Sequence, residues 1–169
     1  DGAFVADHQR LRSDLVAGGY NKPIFIGIEA SIMDFEGHFE LDSVNGKPDY
    51  VLCSDHWIGD SGITMDDLQG SANLVKAMHE KNPLALKQMY QDVANMYINA
   101  MTRNKADILA HPFDTFMRIS NFDQNLLDVF GRVCEACQGS RVAIEINNQS
   151  VKRQMDLFSR AELLHADCL

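Results

Sequence analysis

The sequence lacks any long run of apolar residues, and no basic stretch followed by an apolar segment stands near its beginning. From the first absence we expect no transmembrane helix, and from the second no secretory signal. We therefore expect a cytoplasmic protein with no membrane partner. Residue 1 is Asp rather than Met, so we expect the natural start to be missing or processed away.

Positive charge is also scarce, with 15 lysines and arginines against 24 aspartates and glutamates and a net charge of −9. Binding to a phosphate backbone requires many basic side chains on one face, so nucleic acid is not an expected partner. A small phosphate ester held through a metal ion remains compatible with this charge. Hydrophobic residues, in contrast, make up 46% of the chain, enough for the core of a single domain over residues 1–169.

Cysteine is limited to four residues, and only Cys134 and Cys137 have the CxxC spacing of a redox or zinc pair. No second CxxC is present to complete a zinc site. The pair also lies in an apolar stripe with helical spacing, formed by Leu126, Phe130, Val133 and Cys137. We therefore interpret both cysteines as structural, which agrees with a reducing compartment.

Strand and helix patterns alternate along the chain, which predicts an α/β fold with a mostly parallel sheet. The predicted core strands are residues 23–30, 49–56, 106–112 and 141–147, and a small hairpin is predicted at 32–41. Helices are predicted at 7–17 and 71–81, after Asn82-Pro83, from Asn121 or Asp123 to near Gly139, and at 151–164.

The segment "DILAHPFD" (107–114) raises the question of why a strand should end on a histidine that is followed at once by proline. In β/α folds the carboxyl ends of the strands are where functional side chains gather. Three of the predicted strand ends carry Glu29, His56 and His111 to one rim. Two imidazoles and a carboxylate are good ligands for zinc, manganese or iron, so the sequence predicts a metal site at this rim.

The sequence around these residues is similar to that of a known family. The segments "GIEASIMDFEGHFEL", "DYVLCSDHW", "DILAHPF" and "VAIEINNQS" together resemble the PHP (polymerase and histidinol phosphatase) family. The resemblance matches Glu29 to the glutamate of a G-I-E motif and His56 and His111 to the S-x-H and A-H-P histidines, all metal ligands. It implies a distorted (β/α)7 barrel, a cluster of up to three metals and hydrolysis of phosphoesters by a metal-activated water.

Two motifs of that family are absent: the N-terminal H-x-H and the C-terminal D-x-H occur nowhere in this chain. We therefore expect a partial barrel, shortened at both ends relative to the family, that keeps ligands for one metal. Four strands cannot close such a barrel, and open sheet edges can pair with further strands. We accordingly predict that the chain either self-associates through these edges or pairs with a missing segment.

Other residues near the motifs have two interpretations each. Arg118 is our candidate for binding a substrate phosphate, although it fits an ordinary surface arginine as well. Asn147 is a candidate for binding the substrate or a metal-bound water. Asp114 either orients a ligand histidine or caps a turn. Trp57 either walls the pocket or belongs to the core, and His8 is either a further metal ligand or part of a helix.

Two functions therefore stay open from the sequence. The first is a PHP-type, histidinol phosphatase-like hydrolase that acts on a small phosphate ester, and the intact set of three ligands favours it. The second is a truncated, non-catalytic domain that binds a metal or ligand or serves as an assembly part, which the two absent motifs favour. Histidinol phosphate, nucleotides and nucleic-acid ends are all substrates in the family, and nothing in the sequence selects among them.

Overall fold

The four core strands that the sequence predicts all form, in a computed structural model that describes residues 3–39, 47–104, 106–119 and 124–146. Strand β1 is Gly27–Ser31, β2 is Tyr50–Ser54, β3 is Ile108–Leu109 and β4 is Ala143–Ile144. All neighbouring pairs are parallel, in the order β1-β2-β3-β4. The α/β class is therefore confirmed, as a four-stranded parallel sheet in the described residues.

The strands are shorter than the sequence predicts, and aspartate side chains accept hydrogen bonds from backbone nitrogens at the amino ends of the first two strands. The backbone nitrogen of Ile26 donates to the Asp49 carboxylate (2.8 Å), and that of Val51 donates to the Asp107 carboxylate (2.8 Å). A hydrogen bond to a side chain satisfies the backbone group but does not extend the ladder.

Five helices accompany the sheet in the described residues. Helix α1 is Ala3–Ala17, α2 is Leu68–Lys81, α3 is Pro83–Asn104, α4 is Asp114–Ile119 and α5 is Gln124–Ser140. The predicted start of α3 is confirmed, since the Asn82 side chain accepts a hydrogen bond from the nitrogen of Ala85 (3.2 Å). Helix α4 is not predicted by the sequence pattern. The predicted helix over 151–164, together with Asn121 and Asp123, lies outside the described residues.

A single hydrophobic core forms where α3 and α5 pack against each other and against the sheet. At its centre the ring of Phe113 meets those of Tyr97 and Phe130 edge to face, with centroids 5.1 and 6.1 Å away. The apolar stripe predicted for α5 is buried, and Cys134 and Cys137 are buried with it. The structural interpretation of these cysteines is confirmed. The buried free thiols of the described residues are Cys53, Cys134 and Cys137.

The predicted hairpin after β1 is present as far as residue 39, where the described segment ends. Ile32 and Phe39 form an antiparallel bridge, and the turn between them passes through Gly37 at φ +84°. A Cβ at Gly37 would lie 2.4 Å from the backbone nitrogen of Ala100, so the turn is pressed against α3. This contact anchors the loop that follows β1.

A closed barrel is not shown. In the described part of the chain β1 and β4 are the outer strands, and no described strand pairs with the outer side of either one. No helix within this part is both long enough and apolar enough to cross a bilayer.

Candidate metal centre

Three adjacent parallel strands carry Glu29, His56 and His111 to one edge of the sheet. Glu29 is the third residue of β1, His56 lies two residues after β2, and His111 lies two residues after β3. The register pairs Glu29 with Leu52 and Leu52 with Ile108, so the three strands end side by side. Carboxyl ends of parallel strands share one edge, and the loops that leave them can therefore bring distant residues together.

The side chains of these residues, the Glu-His-His triad, converge on one point. Oε1 of Glu29 lies 3.2 Å from Nε2 of His111 and 3.4 Å from Nε2 of His56. One ligand atom from each residue falls within 4.8 Å of the others, and the two imidazoles stack with centroids 5.7 Å apart. No other group of three or more His, Cys, Asp or Glu converges in this way among the described residues. The predicted clustering of the three residues is confirmed.

The triad is electrostatically coupled. Hydrogen bonds from His111 and then His56 hold the pKa of Glu29 well below its usual range, against the opposing effect of partial desolvation. The bond to Glu29 raises the pKa of His56 above its ordinary value. Burial lowers the pKa of His111, but the bond to Glu29 and the charge of Asp55 outweigh it, so the net shift is upward. The carboxylate is thus ionised, and a metal ion competes with protons for the two imidazoles.

The far side of each imidazole has a different environment. Nδ1 of His56 lies 3.2 Å from Oγ of Ser31, within hydrogen-bonding distance. Nδ1 of His111 is buried without a hydrogen-bond partner in the described residues, and Oδ1 of Asp55 lies 4.0 Å away. Because Nε2 of each ring faces Glu29, a neutral ligand histidine in this arrangement carries its proton on Nδ1.

The backbone around His111 is held in an uncommon conformation. His111 has φ +31° and Phe113 has φ +61°, on either side of Pro112. Non-glycine residues rarely adopt this left-handed region, and it is found where the surroundings over-determine it, often at functional sites. Here Glu145 accepts a hydrogen bond from the nitrogen of His111 (3.2 Å), and the Tyr97 hydroxyl accepts one from that of Phe113 (2.9 Å). These bonds hold the turn that follows β3 and presents His111.

The remaining predicted residues are not part of the triad. Trp57 is 41% exposed and meets His56 edge to face, with centroids 6.1 Å apart, so the core interpretation is wrong. Nε of Arg118 donates to Asp114 (2.6 Å), so Asp114 orients an arginine. Nδ1 of His8 bonds the Phe4 carbonyl within α1 (2.8 Å), as its helix interpretation requires. Asn147 lies outside the described residues.

Three residues at the site were not assigned a role from the sequence: Ser31, Asp55 and Glu145. A signal existed for Ser31, because residues two apart in a strand share a face and Ser31 follows Glu29 by two. Asp55 directly precedes His56, but its complete burial and its proximity to His111 depend on how the strands pack.

Comparison with known proteins gives no further guide: no family model, no curated protein and no solved structure matches the chain. The resemblance to the PHP family therefore stays a prediction.

Proposed function

We propose that this chain is a metal-dependent hydrolase of phosphoesters, in which Glu29, His56 and His111 hold one divalent ion. The observation that carries the proposal is the convergence of one carboxylate oxygen and two imidazole nitrogens at adjacent strand ends. Two nitrogens and an oxygen form the donor set of catalytic zinc sites, and they suit manganese and iron as well. Three protein ligands leave coordination positions open for water and substrate.

The charge balance of the chain supports an ion at this site. A phosphate ester is anionic and the chain has a net charge of −9, so bringing them together requires local positive charge. When bound, a divalent ion supplies that charge, polarises a phosphoryl oxygen and activates a water molecule. Trp57 is exposed beside His56 and can contact the organic part of a small ester. We propose that Arg118, seven residues after His111, binds the substrate phosphate, and that Asn147 binds the substrate.

The second candidate function is a non-catalytic domain that binds a metal or acts as an assembly part. It is favoured by the absence of the H-x-H and D-x-H motifs from the sequence. It is also favoured by the outer strands β1 and β4, which have no strand neighbour on their outer sides in the described residues. An unpaired strand edge can accept a strand from a second copy.

The first experiment measures metal content by plasma mass spectrometry after incubation with zinc, manganese or iron(II) and removal of free ion. The variants are His111→Ala and, as a matched control, His79→Ala, which removes an exposed histidine of α2. We expect about one ion per chain in the wild type and in the control, and little in His111→Ala. A wild type that retains no metal would overturn the proposal.

The second experiment separates the two candidate functions. Each metal-loaded protein is assayed for release of inorganic phosphate from p-nitrophenyl phosphate and from a panel of small phosphate monoesters. Turnover that requires the metal and disappears in His111→Ala supports the hydrolase. Stoichiometric metal binding without turnover on any ester supports the non-catalytic domain.

A further inference from the structure

Metal binding through Nε2 places a specific demand on the other nitrogen of each ligand histidine. A neutral imidazole has one proton, and when Nε2 binds an ion the proton must be on Nδ1. For His56 the acceptor is Oγ of Ser31, 3.2 Å away. For His111 no acceptor lies within hydrogen-bonding distance in the described residues, and Nδ1 is buried.

The carboxylate of Asp55 is an acceptor that lacks such a donor. It is fully buried, and neither of its carboxylate oxygens has a hydrogen bond in the described residues, although the Tyr97 hydroxyl lies close enough to favour the ionised carboxyl. Burying an unpaired carboxylate is costly, and such groups are normally paired. The buried side-chain atoms without a partner in this part of the chain are Ser54 Oγ, both Asp55 oxygens and His111 Nδ1. Nδ1 of His111, which must become a donor when Nε2 binds an ion, thus lies 4.0 Å from a buried carboxylate oxygen that can accept its proton.

We propose that Asp55 is a positioning residue of the metal centre, whose carboxylate accepts the Nδ1 proton of His111 when Nε2 binds an ion. This inference depends on the proposed function, because it requires His111 to be a ligand. A shift of the ring by about 1 Å brings the pair to hydrogen-bonding distance. Carboxylates paired with ligand histidines fix the ring orientation and increase the basicity of the ligand.

His56 and His111 differ in whether water can replace the side chain that accepts the Nδ1 proton. The His56 side chain is 36% exposed, so water can replace Ser31 as acceptor for its Nδ1 proton. The His111 side chain is 11% exposed and Asp55 is inaccessible, so no water is available to replace the carboxylate. Loss of Asp55 should therefore weaken metal binding far more than loss of Ser31.

The test measures Zn²⁺ affinity by competition with a chromophoric chelator in wild type, Asp55→Asn and Ser31→Ala. Asn keeps the shape and a neutral acceptor but removes the charge. We expect Asp55→Asn to bind Zn²⁺ about 10- to 100-fold more weakly. Ser31→Ala should lose about threefold at most, the value of a neutral hydrogen bond that water can replace. Thermal unfolding of the apo proteins establishes that each variant is folded.

A second measurement detects the hydrogen bond directly and does not require a variant to fold. Long-range ¹H–¹⁵N spectra of wild-type protein labelled with ¹⁵N-histidine identify which ring nitrogen of His111 carries the proton. On adding Zn²⁺ we expect the His111 Nδ1 proton to appear and to move to low field, as for a bond to a carboxylate. In Asp55→Asn this low-field signal should be absent.

The outcomes separate this inference from the metal site itself. If wild type binds Zn²⁺ but Asp55→Asn binds it equally well, Asp55 has no positioning role, while the site of Glu29, His56 and His111 stands. If wild type binds Zn²⁺ and no low-field Nδ1 proton appears, the inference is likewise overturned. If wild type binds no Zn²⁺, both the inference and the proposed metal site are wrong.

Discussion

Replacing Tyr97 with phenylalanine tests the account of the turn that presents His111. Tyr97 lies on α3 with its side chain fully buried, and its hydroxyl accepts the backbone N–H of Phe113 at 2.9 Å. The substitution removes one oxygen and keeps the ring, so its packing against Phe113, with centroids 5.1 Å apart, is preserved. The change in stability then reports mainly on the lost hydrogen bond.

The expected magnitude follows from the burial of both partners. Phe113 is inaccessible to solvent, so its N–H cannot turn to water when the acceptor is removed. An orphaned buried donor costs roughly 1–3 kcal/mol, and we expect Tyr97→Phe to lower the free energy of unfolding by about 2 kcal/mol. For a chain of this size that corresponds to a fall in Tm of roughly 4–8 °C.

The pH of the assay separates the contributions that the Tyr97 hydroxyl makes through Phe113 and through Asp55. Burial raises the pKa of the Asp55 carboxyl to about 7, while the hydroxyl of Tyr97 and the charge of His111 act against this rise. At about pH 5 Asp55 is protonated in the folded chain, so the loss comes mainly from the bond to Phe113 and not from a charge-assisted bond to Asp55. At about pH 8 Asp55 is ionised and also loses the favourable hydroxyl, so we expect a larger loss there.

Urea unfolding of the apo protein in the presence of a chelator measures these differences. Tyr20→Phe is the matched control, since Tyr20 is 45% exposed and its hydroxyl has access to water. We expect the control to change the free energy of unfolding by less than about 0.5 kcal/mol. If Tyr97→Phe changes the free energy of unfolding as little as the control does at both pH values, the hydroxyl does not hold the turn that presents His111.

Four further predictions follow from the same structure. Gly37→Ala should destabilise the chain by about 2–4 kcal/mol in urea unfolding, because the new Cβ meets the backbone of Ala100 at 2.4 Å and φ is positive; a milder loss would mean that the loop moves freely. With Cys168 replaced by serine, the three buried thiols should resist iodoacetamide until urea unfolds the chain, since burial raises the pKa of the Cys53 thiol to about 12. The triad histidines have raised pKa values, so the stability they give the apo protein is complete below about pH 6.5 and is lost as the pH rises through their folded-state values. Glu29→Gln should flatten this decline in urea unfolding, and an unchanged slope would show that Glu29 is not its cause. Light scattering at micromolar concentration should give more than a monomeric mass if the outer strands pair, and a monomeric mass would contradict self-association.

Much of the fold could be predicted because its signals are local. Apolar residues at helical spacing on α3 and α5 mark the faces that become buried, and the Asn82-Pro83 pair marks where α3 begins. The alternation of strands and helices then implies a parallel sheet, because parallel neighbours need crossover connections. That topology is also why Glu29, His56 and His111 could be assigned to one edge of the sheet: the carboxyl ends of parallel strands meet there whatever their separation along the chain.

Only the tertiary structure decided how the environment of each triad residue differs. The positions of the strand ends predict that His56 and His111 are neighbours. They do not predict that Nδ1 of His56 lies near Ser31, or that Nδ1 of His111 is buried near Asp55. Helix α4 was missed because six residues are too few to show a helical period. The positive φ of His111 depends on Glu145 and Tyr97, which lie on β4's end and α3. Burial, tautomer and backbone strain arise from contacts between distant segments, and no local pattern encodes them.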